Sequence, residues 1–502
     1  MRQIHVCLQT LLAVSAFVPT LHAAANCEGL ASITLPETTI TSAQSVAAGD
    51  FTPPSASVAL HNLPAFCRVA ATLAPSSDSD IKIEVWLPSS SWNGKFQAVG
   101  NGGWSGAINY GSLAGALARG YAAASTDTGH AGGSAEFALG HPEKLIDFAE
   151  RSEHQMTVKA KAIIAAFYGS APKLSYWNGC SSGGKQGLKM AQKYPEDFNG
   201  IIAGAPANNW VALLSADMRN SVALLKDPAS LIPPDKLKLL HKAAVEACDA
   251  RDGITDGLID DPTKCFFDPA VLLCKGSEMD SCLTSAQVQA AQAIYSPLTN
   301  PRTHKEIFPG LEPGSELGWT AFGPKPFSIS DDYFRFVVHQ NPAWDFRTFD
   351  ADKDVTLAEK LDHNNLLKSV DPDLRNFTSH GGKLIIYHGW NDNLIAPRNS
   401  INYFNSVVAK LGGLEKTQQS VRLFMAPGVN HCAGGDGPNS FDTVAALEQW
   451  VEQGKAPERI LASHKTAGQV DRTRPLCPYP QVSKYKGAGS TDDAANFVCT
   501  AP

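Results

Sequence analysis

Apolar and polar residues alternate over 81–87 (Ile-Lys-Ile-Glu-Val-Trp-Leu), which predicts a strand with one buried face. Residues 95–99 predict a second strand, running into a glycine turn. Over 154–167, Met156, Val158, Ala160, Ile163, Ile164 and Phe167 recur at helical spacing. Residues 173–177 read as a buried strand that turns at Gly179 into a helix from about 185 to 193, and 198–203 as the next strand. Two further apolar strands fall at 383–387 and 421–425, the second followed by an amphipathic helix over 441–453. Strands alternating with helices imply a mostly parallel sheet and an α/β fold. Between about 210 and 375 the rhythm gives way to cysteines, Asp/Gly turns and scattered aromatics, as expected of a large inserted lid. The expected organisation is a signal peptide at 1–25, a core at 26–208 and 376–502, and a lid at 209–375. Residues 26–75, rich in Ser, Thr, Ala and Pro, hold Cys27 and Cys67 within reach of a local staple.

The 502 residues carry a net charge of -7, so the basic field of a nucleic-acid binder is absent. A chain 43% hydrophobic and 18% charged is also not dominantly disordered. At the N-terminus, Arg2 and His5 precede an apolar run over 11–18 and then Ala23-Ala24-Ala25, the layout of a secretory signal peptide. The run is too short for a membrane span. Asn26, where a lipoprotein would have a small residue before Cys27, argues against lipid attachment. Removing the leader removes Cys7 and leaves an even set of cysteines from the original 11, as suits a secreted or periplasmic protein.

Gly179-Cys180-Ser181-Ser182-Gly183 fits G-x-S-x-G between a predicted strand and a predicted helix, the context of a nucleophile elbow. A glycine-rich turn with an ordinary serine would share the pattern without the chemistry. An acid and then a histidine should follow in chain order. Asp392 in Tyr387-His388-Gly389-Trp390-Asn391-Asp392 and His431 in Val429-Asn430-His431-Cys432 lie just past the two later strands. Asp392 would orient His431, and His431 would take the Ser181 proton and return it to the leaving alcohol. His388 competes, but its strand-end position favours a packed structural group. Cys180 precedes the candidate nucleophile and Cys432 follows the candidate base. A disulfide between them, with Cα atoms ~5.5 Å apart, would make Ser181 and His431 neighbours. The Gly100-Asn101-Gly102-Gly103-Trp104 turn after a strand can supply one oxyanion N–H, and the residue after the nucleophile another.

Gly-Cys-Ser-Ser-Gly-Gly, Tyr-His-Gly-Trp-Asn-Asp and Asn-His-Cys-Ala-Gly-Gly together resemble the tannase/feruloyl esterase family, which includes the hydrolase of mono(2-hydroxyethyl) terephthalate. The resemblance extends over the mature chain to Arg474-Pro475-Leu476-Cys477-Pro478-Tyr479-Pro480. It implies an α/β-hydrolase core with a large lid, Ser181, Asp392 and His431 as triad, and Gly103 and Ser182 as oxyanion donors. It also implies the disulfides Cys180–Cys432, Cys27–Cys67, Cys248–Cys265, Cys274–Cys282 and Cys477–Cys499. Sequence alone cannot choose among about 945 pairings.

Residues 249–261 pack five carboxylates among glycine turns, hard oxygen donors that suit Ca²⁺. The spacing is not that of an EF-hand, and a solvated Asp/Gly turn reads equally well from the residues. The family resemblance implies structural calcium in the lid, held by the side chains of Asp249, Asp252 and Asp256 and the carbonyls of Ile254 and Leu258. No organic cofactor is implied.

The lid aromatics Trp319, Phe322, Phe327, Tyr333, Phe334, Phe336, Trp344 and Phe346 could stack on a phenolic ring, but as single residues they read first as lid core. Arg335 reads first as one half of an ion pair. Glu312-Pro313-Gly314-Ser315-Glu316 and Asn341-Pro342-Ala343-Trp344-Asp345 resemble feruloyl esterases and tannases more than the terephthalate enzyme. The expected partner is a small aromatic ester, free or attached to plant polysaccharide or polyphenol. Galloyl or terephthalate esters are the close alternatives, and a non-catalytic hydrolase-fold binding protein is the distant one.

Overall fold

In the structure, a computed structural model, residues 26–54 and 56–501 are described. The expected signal peptide lies outside them. Among the described residues nine strands form one sheet. In chain order they are β1 (Thr38–Val46), β2 (Phe66–Leu73), β3 (Ile81–Pro88), β4 (Lys95–Val99) and β5 (Ala122–Thr126). β6 (Leu174–Cys180), β7 (Gly200–Gly204), β8 (Lys383–Gly389) and β9 (Val421–Ala426) complete it. Their spatial order is β1-β2-β3-β5-β4-β6-β7-β8-β9. The first three pairings are antiparallel and the remaining five parallel. An antiparallel start followed by the exchanged β5–β4 pair is the α/β-hydrolase arrangement.

Alternation sets the two faces of β3. Ile81, Ile83, Val85 and Leu87 pack into the core on one side of the sheet, and Trp86 into the core on the other. Glu84, also buried, pairs with Arg68 and accepts the Trp86 indole N–H at 2.8 Å. The helix expected at 154–167 spans Ser152–Tyr168, and the one expected from about 185 starts at Ser182. β7 begins at Gly200, two residues later than expected; just before it, Asn199 Oδ1 accepts the Ser175 N–H at 2.9 Å.

The sheet leaves off at Gly204 and resumes at Lys383. The intervening chain carries the helices Trp210–Leu225, Pro234–Cys248, Ser285–Tyr295 and Lys353–Leu361, which close over a separate apolar core. Trp319, Phe322, Tyr333, Phe334, Phe336, Trp344 and Phe346 belong to that core, with Phe327 packed against it. Arg335 pairs with Asp331 at 3.2 Å. Trp104 and Phe148 of the sheet domain enter the same core, so lid and sheet share packing beside the residues that follow β4.

Candidate active site

Ser181 sits between the end of β6 and the helix Ser182–Lys193, at φ 63° and ψ -123°. A non-glycine residue adopts such a backbone only when its surroundings force it. A Cβ on Gly179 would lie 2.5 Å from the Gly183 carbonyl oxygen, and one on Gly183 would lie 3.1 Å from the Asn101 oxygen. Only bare backbone fits so close a turn, which explains the flanking glycines. The Ser181 N–H donates to Gly204 O at 2.9 Å, and its carbonyl accepts from Ala207 at 3.1 Å. The elbow is thereby pinned to the loop after β7.

Asp392 follows β8, and His431 follows β9. His431 Nδ1 lies 2.8 Å from Asp392 Oδ2, and Asp392 is fully buried. The Leu394 and Ile395 N–H groups both donate to Asp392 Oδ1 at 2.9 Å. His388 Nε2 approaches Asp392 Oδ2 at 3.0 Å and Ile395 O at 3.0 Å, while its Nδ1 faces Ser400 Oγ at 2.7 Å. Two acceptors at Nε2 place the proton there, so Ser400 donates to Nδ1. Burial alone would raise the Asp392 carboxyl, but the two imidazoles outweigh it and hold it well below the usual carboxylate range. Burial depresses the His431 imidazole, yet facing Asp392 raises it above its ordinary value. The aspartate is therefore a fixed anion, and the histidine a base strengthened by it.

The Cys180–Cys432 disulfide closes with Cα atoms 6.0 Å apart. It joins β6 directly to the loop that bears His431, so the serine and histidine are neighbours. Cys432 itself has φ 65°, matching the strained Ser181 across the bridge. Among the described residues no hydrogen bond joins Ser181 Oγ to His431; such bonds commonly tighten only when substrate binds. A strained serine on an elbow, a buried carboxylate and an oriented imidazole make the arrangement suited to nucleophilic acyl transfer.

Residues 67–500 match the family described as tannase and feruloyl esterase. The chain belongs to that family. It is 40% identical to an uncharacterized esterase of Xanthomonas campestris pv. campestris, covering 99% of this chain and 95% of that protein. It is 37% identical to a probable feruloyl esterase B-2 of Aspergillus oryzae, covering 86% of each. The crystal structure of feruloyl esterase B from Aspergillus oryzae superposes with a TM-score of 0.90 at 31% identity, over 94% of this chain and 99% of that one. The fold is accordingly the family's α/β fold, and the chain is a carboxylic ester hydrolase.

Within this esterase, Gly103 and Ser182 are in contact. Ser182 Oγ donates to Gly103 O at 3.0 Å, and Ser182, first in its helix, has an N–H with no intrahelical acceptor. Gly103 has φ 51°, and a Cβ there would stand 2.8 Å from Ile329 Cδ1 of the lid. The Trp104 indole N–H donates to Ile329 O at 2.9 Å, so the lid rests directly on the turn after β4.

The other four disulfides are Cys27–Cys67, Cys248–Cys265, Cys274–Cys282 and Cys477–Cys499, the pairing that the resemblance implies. No helix among the described residues is long and apolar enough to cross a membrane.

In the acidic turn, Asp249 accepts the Asp256 and Gly257 N–H groups at 3.1 and 2.9 Å, and Asp252 accepts Ile254 at 3.1 Å. Asp256 accepts Leu258 N–H at 3.2 Å and pairs with buried Arg474 at 2.5 Å. The donors are hard oxygens of the right kind for Ca²⁺. Among the described residues, however, no three acidic, imidazole or thiol side chains converge as a ligand set. The carboxylates bend back on the turn's own amides, so a cation would replace those contacts.

Sequence reading had no signal for one cluster beside the site. His241 of the lid lies 2.8 Å from Glu316 and 3.6 Å from Asp436, which follows His431 in its loop. The Tyr295 hydroxyl donates to the same Glu316 at 2.7 Å. Lid and histidine loop are linked through that imidazole.

Proposed function

We propose that the protein is a secreted serine esterase that hydrolyses aromatic carboxylic esters, feruloyl (hydroxycinnamoyl) esters foremost. The observation that carries this reading is the buried Asp392–His431 pair tied to the Ser181 elbow through Cys180–Cys432. Ser181 Oγ attacks the ester carbonyl as His431 Nε2 takes its proton. The resulting oxyanion lies against the Gly103 and Ser182 N–H groups. Collapse breaks the bond to the leaving oxygen, which receives the proton from His431 and departs as the alcohol. Water, deprotonated by His431, attacks the acyl-serine; collapse releases the acid and restores Ser181. Asp392 holds the Nδ1 proton and stabilises the imidazolium in both halves.

The acyl preference rests on the names of the Aspergillus relatives, which are feruloyl esterases. Secretion is supported by the N-terminal pattern and by the disulfides. Calcium in the acidic turn, with Asp249, Asp252, Asp256, Ile254 and Leu258 as its ligands, is supported by donor chemistry and by the family resemblance. When bound, the ion would fix the turn, with no part in the acyl transfer.

The test is kcat/KM on methyl ferulate, methyl gallate and mono(2-hydroxyethyl) terephthalate, with Ser181→Ala as control. Methyl ferulate is expected to lead the panel and the variant to be inactive. A lead for gallate or terephthalate would overturn the acyl assignment, and a working Ser181→Ala the nucleophile.

A further inference from the structure

We infer that Gln186, Asn101 and Glu153 are positioning residues that hold the turn after β4 in register with the nucleophile helix, and so place the oxyanion donors. The inference rests on the serine-esterase reading above.

Gln186 lies one turn into the helix Ser182–Lys193 and is buried, as are Asn101 and Glu153. Its Oε1 accepts the Asn101 N–H at 3.0 Å, and its Nε2 donates to Glu153 Oε1 at 2.5 Å. The Asn101 carbonyl answers by accepting the Gly183 N–H at 2.8 Å. At Asn101 the turn and the helix thus bond in both directions, backbone N–H to Gln186 and carbonyl from Gly183. The Asn101 side chain donates to Ala107 O and Thr126 O, both at 2.9 Å, which fixes the far side of the turn against β5. A Cβ on Gly100 would lie 2.5 Å from Gly183 Cα, so the two backbones are already in contact and any slip is felt at Gly103.

Glu153 decides which way the Gln186 amide points. An oxygen facing Nε2 forces the amide oxygen toward Asn101. Burial pushes the Glu153 carboxyl up, with its hydrogen bonding and Lys185 nearby holding it down. A proton on Glu153 has Ser152 Oγ to meet at Oε2, 3.1 Å away, so Oε1 accepts in either state. The order is then Glu153 orienting Gln186, Gln186 holding Asn101, and Asn101 carrying the Gly103 N–H two residues on. None of the three touches the reacting atoms.

Displacing a donor by about 1 Å can remove ~100-fold in rate without weakening ground-state binding. Gln186→Met keeps the volume and deletes the side chain's hydrogen bonds to Asn101 and Glu153. It is expected to lower kcat on methyl ferulate ~10–100-fold with KM within about twofold. Affinity for an arylboronic acid, which forms a tetrahedral adduct on Ser181, should fall by a similar factor while ferulate binds as before. Glu153→Leu should reproduce this loss, Glu153→Gln should largely escape it because its amide oxygen can still accept, and Gln186→Met/Glu153→Leu should be no worse than either single variant. Gln186→Leu, similar in size and lacking both donor and acceptor, gives a second readout with the same expected loss should Gln186→Met fail to fold. Unchanged kcat and boronate affinity in a folded Gln186 variant would overturn the inference, as would equal losses in ferulate and boronate binding. If wild type binds no boronate and Ser181→Ala still turns over, the serine-esterase reading falls and this inference falls with it.

Discussion

His388 Nε2 stands 3.0 Å from Asp392 Oδ2, the oxygen that also receives His431 Nδ1. Asp392 thus serves two imidazoles, one facing the serine side and one locked behind it by Ser400 and Ile395. His388 keeps the carboxylate from rotating away from His431. Replacing His388 with Leu leaves one Asp392 lone pair and the Ser400 hydroxyl without their partner, which should destabilise the fold by ~1–3 kcal/mol. The accompanying loss in kcat should be about tenfold, far less than the ~10⁴-fold expected of Asp392→Asn. Thermal melting and kcat on methyl ferulate check the pair; equal losses in the two variants would contradict the division of labour.

The pH profile follows from His431. Its imidazole is raised above the ordinary value by Asp392 despite burial, and it works as a base only when neutral. kcat/KM should therefore rise with pH through a single limb centred above ~6.5, the unperturbed imidazole value. In Asp392→Asn the limb should move to lower pH as the rate collapses. A wild-type limb at or below ~6.5 would contradict the ion pair seen here.

Most of the parallel part of the sheet, and the placement of Ser181, Asp392 and His431 just past its strands, were legible because each of these residues follows an apolar strand with a glycine turn. β5 was not, since Ala122-Ala123-Ala124-Ser125-Thr126 has small side chains with little strand preference and is buried by its neighbours. β1 and β2 were missed because the Ser/Thr-rich N-terminal segment reads as loop until paired with β3. His388 read as a packed group, which it is, but its shared grip on Asp392 is a fact of geometry. The same holds for Gln186 and Asn101, whose contact crosses from one loop to a distant helix and leaves no periodicity in the chain.

Deleting the Cys180–Cys432 bridge by Cys180→Ser/Cys432→Ser separates two strained positions, Ser181 at φ 63° and Cys432 at φ 65°. Stability should drop by ~2–5 kcal/mol. Activity should fall further than unfolding explains, because the serine and histidine loops lose their direct link. The check is kcat at a temperature where circular dichroism shows the variant fully folded; wild-type kcat there would mean the bridge only stabilises.

His241 predicts an alkaline weakness. Burial alone would depress its imidazole, but Asp436 and Glu316 outweigh that and push it up to about 9, against ~6.5 when unfolded. A group raised on folding contributes in full below the unfolded value and loses its contribution as pH rises through the folded one. The melting temperature should thus fall between about pH 7 and 10 in wild type and fall less in His241→Gln. Parallel slopes in the two proteins would remove His241 as the cause.

The acidic turn makes the last prediction. Asp256 pairs with a buried cation, Arg474, and Arg472 also donates to its carbonyl at 3.0 Å. Leu258, two residues on, reaches Gly428 beneath the histidine loop, where an added Cβ would lie 2.7 Å from its Cδ2. The turn is thus bonded to the C-terminal strands at one residue and packed under β9's exit at another, so whatever rigidifies it should rigidify both. If Ca²⁺ fills the turn at ~100 times its dissociation constant, its removal should cost ~2.7 kcal/mol. EGTA should accordingly lower the melting temperature by several degrees, with Ca²⁺ restoring it and Mg²⁺ restoring it less, since six to eight flexible oxygens suit the larger ion. Asp252→Asn, which weakens the ligand set without touching the Arg474 pair, should melt near the EGTA-treated value and respond little to added Ca²⁺. Melting that ignores EGTA in wild type would assign the turn to hydrogen bonding alone.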